Sequence, residues 1–272
     1  MSDKTAGTGQ TAGDLLRAGK LSDAVIAAQN AVRKAPADLS ARILLAEILV
    51  FTGNLERADV LLDAASTIDP STAIVVAEFR QLIRADMARR QLFSDGRVPE
   101  LLTDPTEVQR LQLAALVALR ANDPAEAAKN AAAAEAARPR VPGFHNDAPF
   151  DDLRDADDLL AGNFEVLTTT GKYFWIPTER VVSAEFHPPK RPRDLIWRRV
   201  SMTVAEGPDG DVYVPVIYAG GADPASDLLR LGRETDWTDA DAGPVRGIGQ
   251  RVLLCGDDDI AIMDLGALRF GA

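Results

Sequence analysis

Five residues recur at a spacing of 34, and they constrain the fold more than any other feature of the chain. Gly19, Leu21, Ala24, Ala31 and Pro36 return as Gly53, Leu55, Ala58, Ala65 and Pro70. That period belongs to a tetratricopeptide-type helical hairpin. Each residue type suits its place in such a unit. Glycine adopts the left-handed conformation that ends the first helix. Alanine lets the paired helices approach closely, and proline follows the second helix because it cannot continue it. A looser third copy has Asn122-Asp123 as its turn, Ala127 in the place of Ala58 and Pro139 in that of Pro70.

Between the second and third copies the pattern predicts a helix over residues 72–91, a break at Ser94-Asp95-Gly96 and a helix over 106–121. The latter is apolar all round and therefore central. The alanine run 131–137 reads as a closely packed helix, alanine being the best helix former. Val141-Pro142-Gly143 then breaks the helical pattern. Residues 1–13 are expected to form a disordered tail, 14–145 the helical-repeat domain and 146–272 a β-rich domain. One further helix is expected over 150–160. From Asn163 onward the apolar period becomes that of strands, with short runs at 164–168, 173–176, 181–186 and 200–204. Two hairpins follow, one turning at Gly207-Pro208-Asp209-Gly210 and one at residues 256–259. The fold class is α+β, with helical hairpins followed by a small antiparallel sheet or barrel.

Charge narrows the function. The chain of 272 residues carries a net charge of −11. Residues 1–150 hold 17 basic and 19 acidic side chains, against 13 and 22 in residues 151–272. So acidic a back half repels phosphate backbones and disfavours nucleic-acid binding. A single cysteine, Cys255, excludes an internal disulfide, and its apolar neighbours predict a buried thiol. No apolar leader opens the sequence and no stretch approaches the roughly 20 apolar residues of a membrane span. The expected location is the cytoplasm.

Reactive groups are few in the sequence. His145 and His187 have no second histidine or cysteine at metal-ligand spacing, and they read as surface or linker residues. Neither G-x-S-x-G nor a phosphate-binding G-x-x-x-x-G-K-[ST] occurs. Gly247-Ile248-Gly249 lacks the third glycine of a dinucleotide loop and leads into a strand, so it reads as a tight turn. Asp151, Asp152, Asp155, Asp157 and Asp158, like Asp257-Asp258-Asp259, lack the spacing of a calcium loop and read as solvated acidic faces. Lys190-Arg191-Pro192-Arg193 and Arg198-Arg199 suit the carboxylates of the domain or of an acidic partner. No cofactor and no metal are expected.

Five words stand in order in the back half: Tyr173-Phe174-Trp175-Ile176-Pro177, the segment 188–199 containing Arg193, Trp197 and Arg198, Val212-Tyr213-Val214-Pro215, the segment 231–237 and Gly247-Ile248-Gly249-Gln250-Arg251. Behind a helical-repeat front they resemble the ImpE/TagJ (SciE-type) accessory proteins of bacterial type VI secretion systems. The resemblance covers roughly residues 14–270. It implies a cytoplasmic, non-enzymatic, virulence-associated accessory that binds the N-terminal helix of the small subunit of the contractile sheath. A link to the sheath-recycling ATPase is also implied. Stacked hairpins offer a concave surface to an amphipathic helix. Trp175, Trp197 and Trp237, with Arg193, Arg198, Arg233 and Asp236, are the candidate partner-binding residues, since tryptophan and arginine dominate binding hot spots. The segment 231–237 is the expected exposed functional loop. Two alternatives stand beside this reading. One is a hydrolase or transferase using Arg233 and Asp236 near Trp237. The other is a general helical-repeat co-chaperone.

Overall fold

In the computed structural model, which describes residues 10–220 and 224–271, the expected repeat forms antiparallel helix pairs. Helices α1 (Ala12–Arg17) and α2 (Leu21–Lys34) form the first pair, α3 (Leu39–Phe51) and α4 (Leu55–Ile68) the second. The long α5 (Ala73–Ser94) stands alone before the last pair, α6 (Glu107–Arg120) and α7 (Pro124–Ala137). The starts follow from the sequence. Thr11 and Asp14 form a capping box on α1, as Thr106 and Gln109 do on α6. Asp38 caps α3, and Asp123 caps α7 ahead of Pro124 in its first turn. The stops follow too. Gly19 and Gly53 lie at φ +79° and +75° just past α1 and α3. Ala24, Ala58 and Ala65 are completely buried, which is where the repeat needs small side chains. Of the expected tail, residues 1–9 lie outside the described residues, and α1 begins inside its remaining part.

The sheet half begins at Gly143, slightly before the expected boundary. In chain order its strands are β1 (Gly143–His145), β2 (Ala148–Phe150), β3 (Leu153–Asp155), β4 (Asn163–Leu167), β5 (Tyr173–Pro177), β6 (Val181–Phe186), β7 (Trp197–Val204) and β8 (Asp209–Pro215). After the short helix α8 (Asp227–Arg230) come β9 (Thr235–Trp237), β10 (Gly247–Gly249), β11 (Val252–Cys255), β12 (Asp258–Ala261) and β13 (Ala267–Phe270). Eight strands form one antiparallel sheet in the order β2-β1-β13-β6-β7-β8-β4-β5. A three-stranded sheet, β12-β11-β3, and the hairpin β9–β10 complete the half.

Two expectations fail here. Residues 150–160 form β3 and a run of turns, not a helix. Backbone N–H groups there donate to aspartate side chains, Asp157 to Asp155 and Leu159 to Asp157, each at 2.9 Å. Such local bonds give the backbone an alternative to the helix ladder. Gly247-Ile248-Gly249 is itself a strand, not a turn. Its glycines admit close neighbours. A Cβ on Gly247 would lie 2.1 Å from the Tyr218 ring, and one on Gly249 would lie 2.2 Å from the Glu234 carbonyl oxygen.

At β4 and β5 the large sheet is covered on both faces. Phe164, Val166 and Ile176 point into a core closed by Val200, Met202, Val214, Leu253, Ile262 and Leu268. Glu165, Leu167, Tyr173 and Trp175 point the other way, toward the helices. Every residue of β4 is buried as a result, which explains why its apolar run shows no wet face.

Candidate functional site: the seam between helices and sheet

Helices α3, α5 and α6 each meet the sheet half. The ring of Phe79 on α5 meets Trp197 edge-on at 5.9 Å, and the Arg193 guanidinium lies 4.7 Å from the Phe79 centroid on the same side. Glu78 accepts a hydrogen bond from the Tyr213 hydroxyl at 2.7 Å. On α6, Gln109 donates to Asn163 Oδ1 at 2.8 Å and Gln112 accepts from Asn163 Nδ2 at 2.6 Å. On α5 and α6, part of the surface expected to receive a partner is therefore occupied by the chain's own sheet.

At the centre of the seam is a buried ion network. Arg89 on α5 grips both oxygens of Glu165 on β4 at 2.9 Å and donates to the Ile217 carbonyl, also at 2.9 Å. Arg251 bonds the same carboxylate, and its Nε lies 3.2 Å from Asp155 Oδ2. The Tyr173 hydroxyl donates to Glu165 at 2.5 Å and accepts from the Trp175 indole N–H at 2.6 Å. Burial pushes the Glu165 carboxyl up, but the two guanidiniums outweigh it and hold the group at about 2. Asp155 has less help. Burial raises it to about 6 against the pull of Arg251, and it accepts from Tyr218 at 2.8 Å. Asp157, fully buried, takes Arg246 at 3.0 Å, and Arg246 donates onward to the Ala219 and Gly220 carbonyls. Asp155 and Asp157 are thus structural ion-pair members, contrary to their expected role on a solvated acidic face.

A second polar cluster joins α3 to the segment before β7. Glu47 is only 5% exposed, and burial pushes its carboxyl from the ordinary 4.5 to about 7, against the guanidiniums of Arg193 and Arg191. Because the folded value lies above the unfolded one, this group favours folding at low pH. That contribution is lost as the pH rises from 4.5 through 7. At about 1.4 kcal/mol per pKa unit the loss is at most about 3.5 kcal/mol. Glu47→Gln is expected to flatten the decline and raise the melting temperature at pH 8. Thermal melts of both proteins from pH 4 to 8 check this, and a less stable variant at pH 8 refutes it.

The expected binding residues divide sharply. Trp175, Trp197, Arg193 and Arg198 are buried and hold the sheet half together. Arg198 donates to the carbonyls of His187 at 3.1 Å and Ile262 at 2.5 Å. Arg191 and Arg199 pair with Asp194 and Asp211, the intradomain use expected of the basic segment. Arg233 is a helix cap. Its two terminal nitrogens donate to the Arg17 and Leu16 carbonyls at 2.9 and 2.8 Å, at the end of α1. Asp227 meanwhile accepts from the Ser22 N–H at 3.0 Å, in the first turn of α2. Arg233, within the segment expected to be a free loop, therefore clasps the first hairpin together with Asp227 just before that segment, and Gly19 leaves room for Leu228 and Arg233 to approach. Arg233→Ala is expected to loosen this clasp by about 1–2 kcal/mol. Amide exchange should speed up across α1 and the start of α2, and unchanged protection there would contradict the clasp. Asp236 and Trp237 are exposed on the hairpin β9–β10, as Arg233 is beside α1, and the Trp237 ring lies 5.9 Å from Tyr218. Arg233 and Asp236 are not brought together as an acid–base pair would be.

Sequence reading missed Arg89, Glu165, Arg246 and Arg251 as the centre of the seam. A signal was present. Glu165 sits within Phe-Glu-Val-Leu, where every neighbour is apolar, and Arg251 precedes Val-Leu-Leu-Cys. A charge in a strand buried on both faces needs a buried partner. Beside the network, a cleft of about 620 Å³ opens between α3, α5 and the ends of the strands.

Comparison with known proteins agrees with this architecture. The ImpE protein family matches residues 147–269, and a tetratricopeptide repeat matches residues 15–83. The type VI secretion system accessory component TagJ of Pseudomonas aeruginosa is 33% identical over 259 residues, covering 94% of this chain and 90% of that protein. The crystal structure of protein VPA1032 from Vibrio parahaemolyticus superposes with a TM-score of 0.90 at 28% identity, covering 96% of this chain and 97% of that one. Among the described residues no helix is long and apolar enough to cross a membrane. With its repeat helices, its sheet half and its TagJ relative all aligned along one chain, the protein belongs to the ImpE/TagJ family of type VI secretion accessory components.

Proposed function

We propose that this protein is a non-catalytic, cytoplasmic accessory of a type VI secretion system. In this reading it binds the small subunit of the contractile sheath through that subunit's N-terminal helix and connects it to the sheath-recycling ATPase. The observation that carries the proposal is the 33% identity to a TagJ component over 94% of the chain. The use of charge in the seam supports binding over turnover. Arg89, Arg251 and Arg246 are spent on Glu165, Asp155 and Asp157, and Arg233 on helix carbonyls, so these groups serve rigidity.

Because part of the expected receiving surface is taken, the sheath helix docks on an outward surface. The hairpin carrying Asp236 and Trp237 offers one. The ridge of α4 and α5 offers another, where Val60, Ile68, Ile74 and Val75 are exposed. Co-purification with the small sheath subunit, with and without its first helix, tests the reading. Retention of the complete subunit and loss of the shortened one is the expected result. Binding that survives the deletion removes helix capture, and failure of both forms removes the sheath as partner.

A further inference from the structure

The cleft beside the ion network has the makings of a second recognition site. Its volume, about 620 Å³, suits a small ligand or a few peptide residues, and junctions between domains are favoured places for such sites. Its lining mixes aromatic and aliphatic groups, Phe51, Phe93 and Ile248, with the arginines Arg89, Arg90 and Arg230. Arg90 comes from α5, and Arg230 ends α8.

The charge balance selects the ligand. Arg89, at the floor, is neutralised by Glu165. Arg90 lies 3.1 Å from Asp86, which is 1% exposed behind it. Arg230 has no side-chain hydrogen bond or ion pair among the described residues. In a chain of net charge −11 this leaves one arginine of the cleft lining unpaired among the described residues, with a half-spent second nearby. A single carboxylate, which a guanidinium fork engages in bidentate fashion, matches that surplus. A phosphate dianion does not. It would be under-neutralised, close to the Asp86 carboxylate and to the carbonyl end of α3, which forms one wall.

We propose that this cleft receives a short acidic–apolar segment of a partner protein, its carboxylate held by Arg230 and Arg90 and a neighbouring apolar side chain lying against Phe51 and Phe93. That the carboxylate belongs to a protein rests on the binding role proposed above, but the cleft is tested without any sheath component, so the two readings fail separately.

The test is an array of short random peptides incubated with the labelled full-length protein. The selected peptides are expected to carry Asp or Glu beside a large apolar residue, and their amide counterparts with Asn or Gln should bind about tenfold more weakly. Free N-acetylglutamate should compete poorly, because it lacks the apolar neighbour. Arg230→Glu should weaken binding by about tenfold or more, and Ser94→Trp, which fills the exposed mouth, should do the same while leaving both arginines in place. Arg230→Gln gives the same reading should the glutamate variant fail to fold. An empty array, selected peptides without acidic residues, preference for phosphopeptides over glutamate peptides, or binding untouched by the Arg230 and Ser94 substitutions overturns the proposal.

Discussion

Replacing Glu165 with alanine is expected to destabilise the protein by about 3–5 kcal/mol, the cost of leaving buried charges without their partner. The loss is large because one carboxylate serves two arginines. Of carboxylates, Arg89 would keep Asp86, at 3.5 Å, beside its bond to the Ile217 carbonyl, and Arg251 would keep Asp155, at 3.2 Å. In a chain of this size each kcal/mol lowers the melting temperature by about 2–4 °C, so the fall should be about 6–20 °C. Glu165→Gln should cost nearly as much, since it keeps the shape and removes the charge. The parent protein should also reveal the network through acid. The Glu165 carboxyl is held at about 2, below its ordinary 4.5. Its contribution is therefore present above pH 4.5 and lost as the pH falls toward 2. Circular-dichroism melts of the three proteins, with an acid titration of the parent, measure both effects. A melting temperature for Glu165→Ala within 3 °C of the parent would show that the network contributes little.

Trp197→Ala should have a comparable effect by a different cause. The indole is 1% exposed and packs edge-on against Phe79, so truncation opens a cavity where helices and sheet meet. Such truncations cost about 3–5 kcal/mol. The phenylalanine variants separate packing from hydrogen bonding. The Trp197 N–H has no hydrogen-bond partner among the described residues, whereas the Trp175 N–H donates to Tyr173 at 2.6 Å. Trp197→Phe should therefore be the milder change, and Trp175→Phe should leave the Tyr173 hydroxyl short of a donor. Chemical denaturation of the two variants decides the order, and a larger loss at Trp197 contradicts this account.

What the sequence revealed depended on how local the physics is. The helical hairpins were legible because their signals are short-range, such as Gly19 and Gly53 at helix ends and Ala24 and Ala58 where helices touch. Strands β4 to β8 were legible from period and turn residues. The segment 150–160 misled because its leucines have helical spacing, while aspartate side chains bonded to nearby backbone N–H groups hold it in turns. The candidate site was less legible still. Tryptophan and arginine favour both interfaces and interdomain cores, and composition does not say which. Trp197 and Trp237 lie forty residues apart, one sealed under Phe79 and the other on an open hairpin. Only the pairing of distant residues, Arg89 with Glu165 and Arg233 with Leu16, separates the roles.

Repeat proteins usually vary in length by gaining or losing hairpins, because each unit touches only its neighbours. The grip of Arg89 on Glu165 removes that freedom here. An extra hairpin between α4 and α5 would move the helices on either side of it apart by about 10 Å per inserted helix. The clasp of Arg233 on α1 and the bond from Arg89 to β4 could not then both close. The sheet half thus acts as a ruler for the array, so relatives that keep both contacts should keep the number of helices between them.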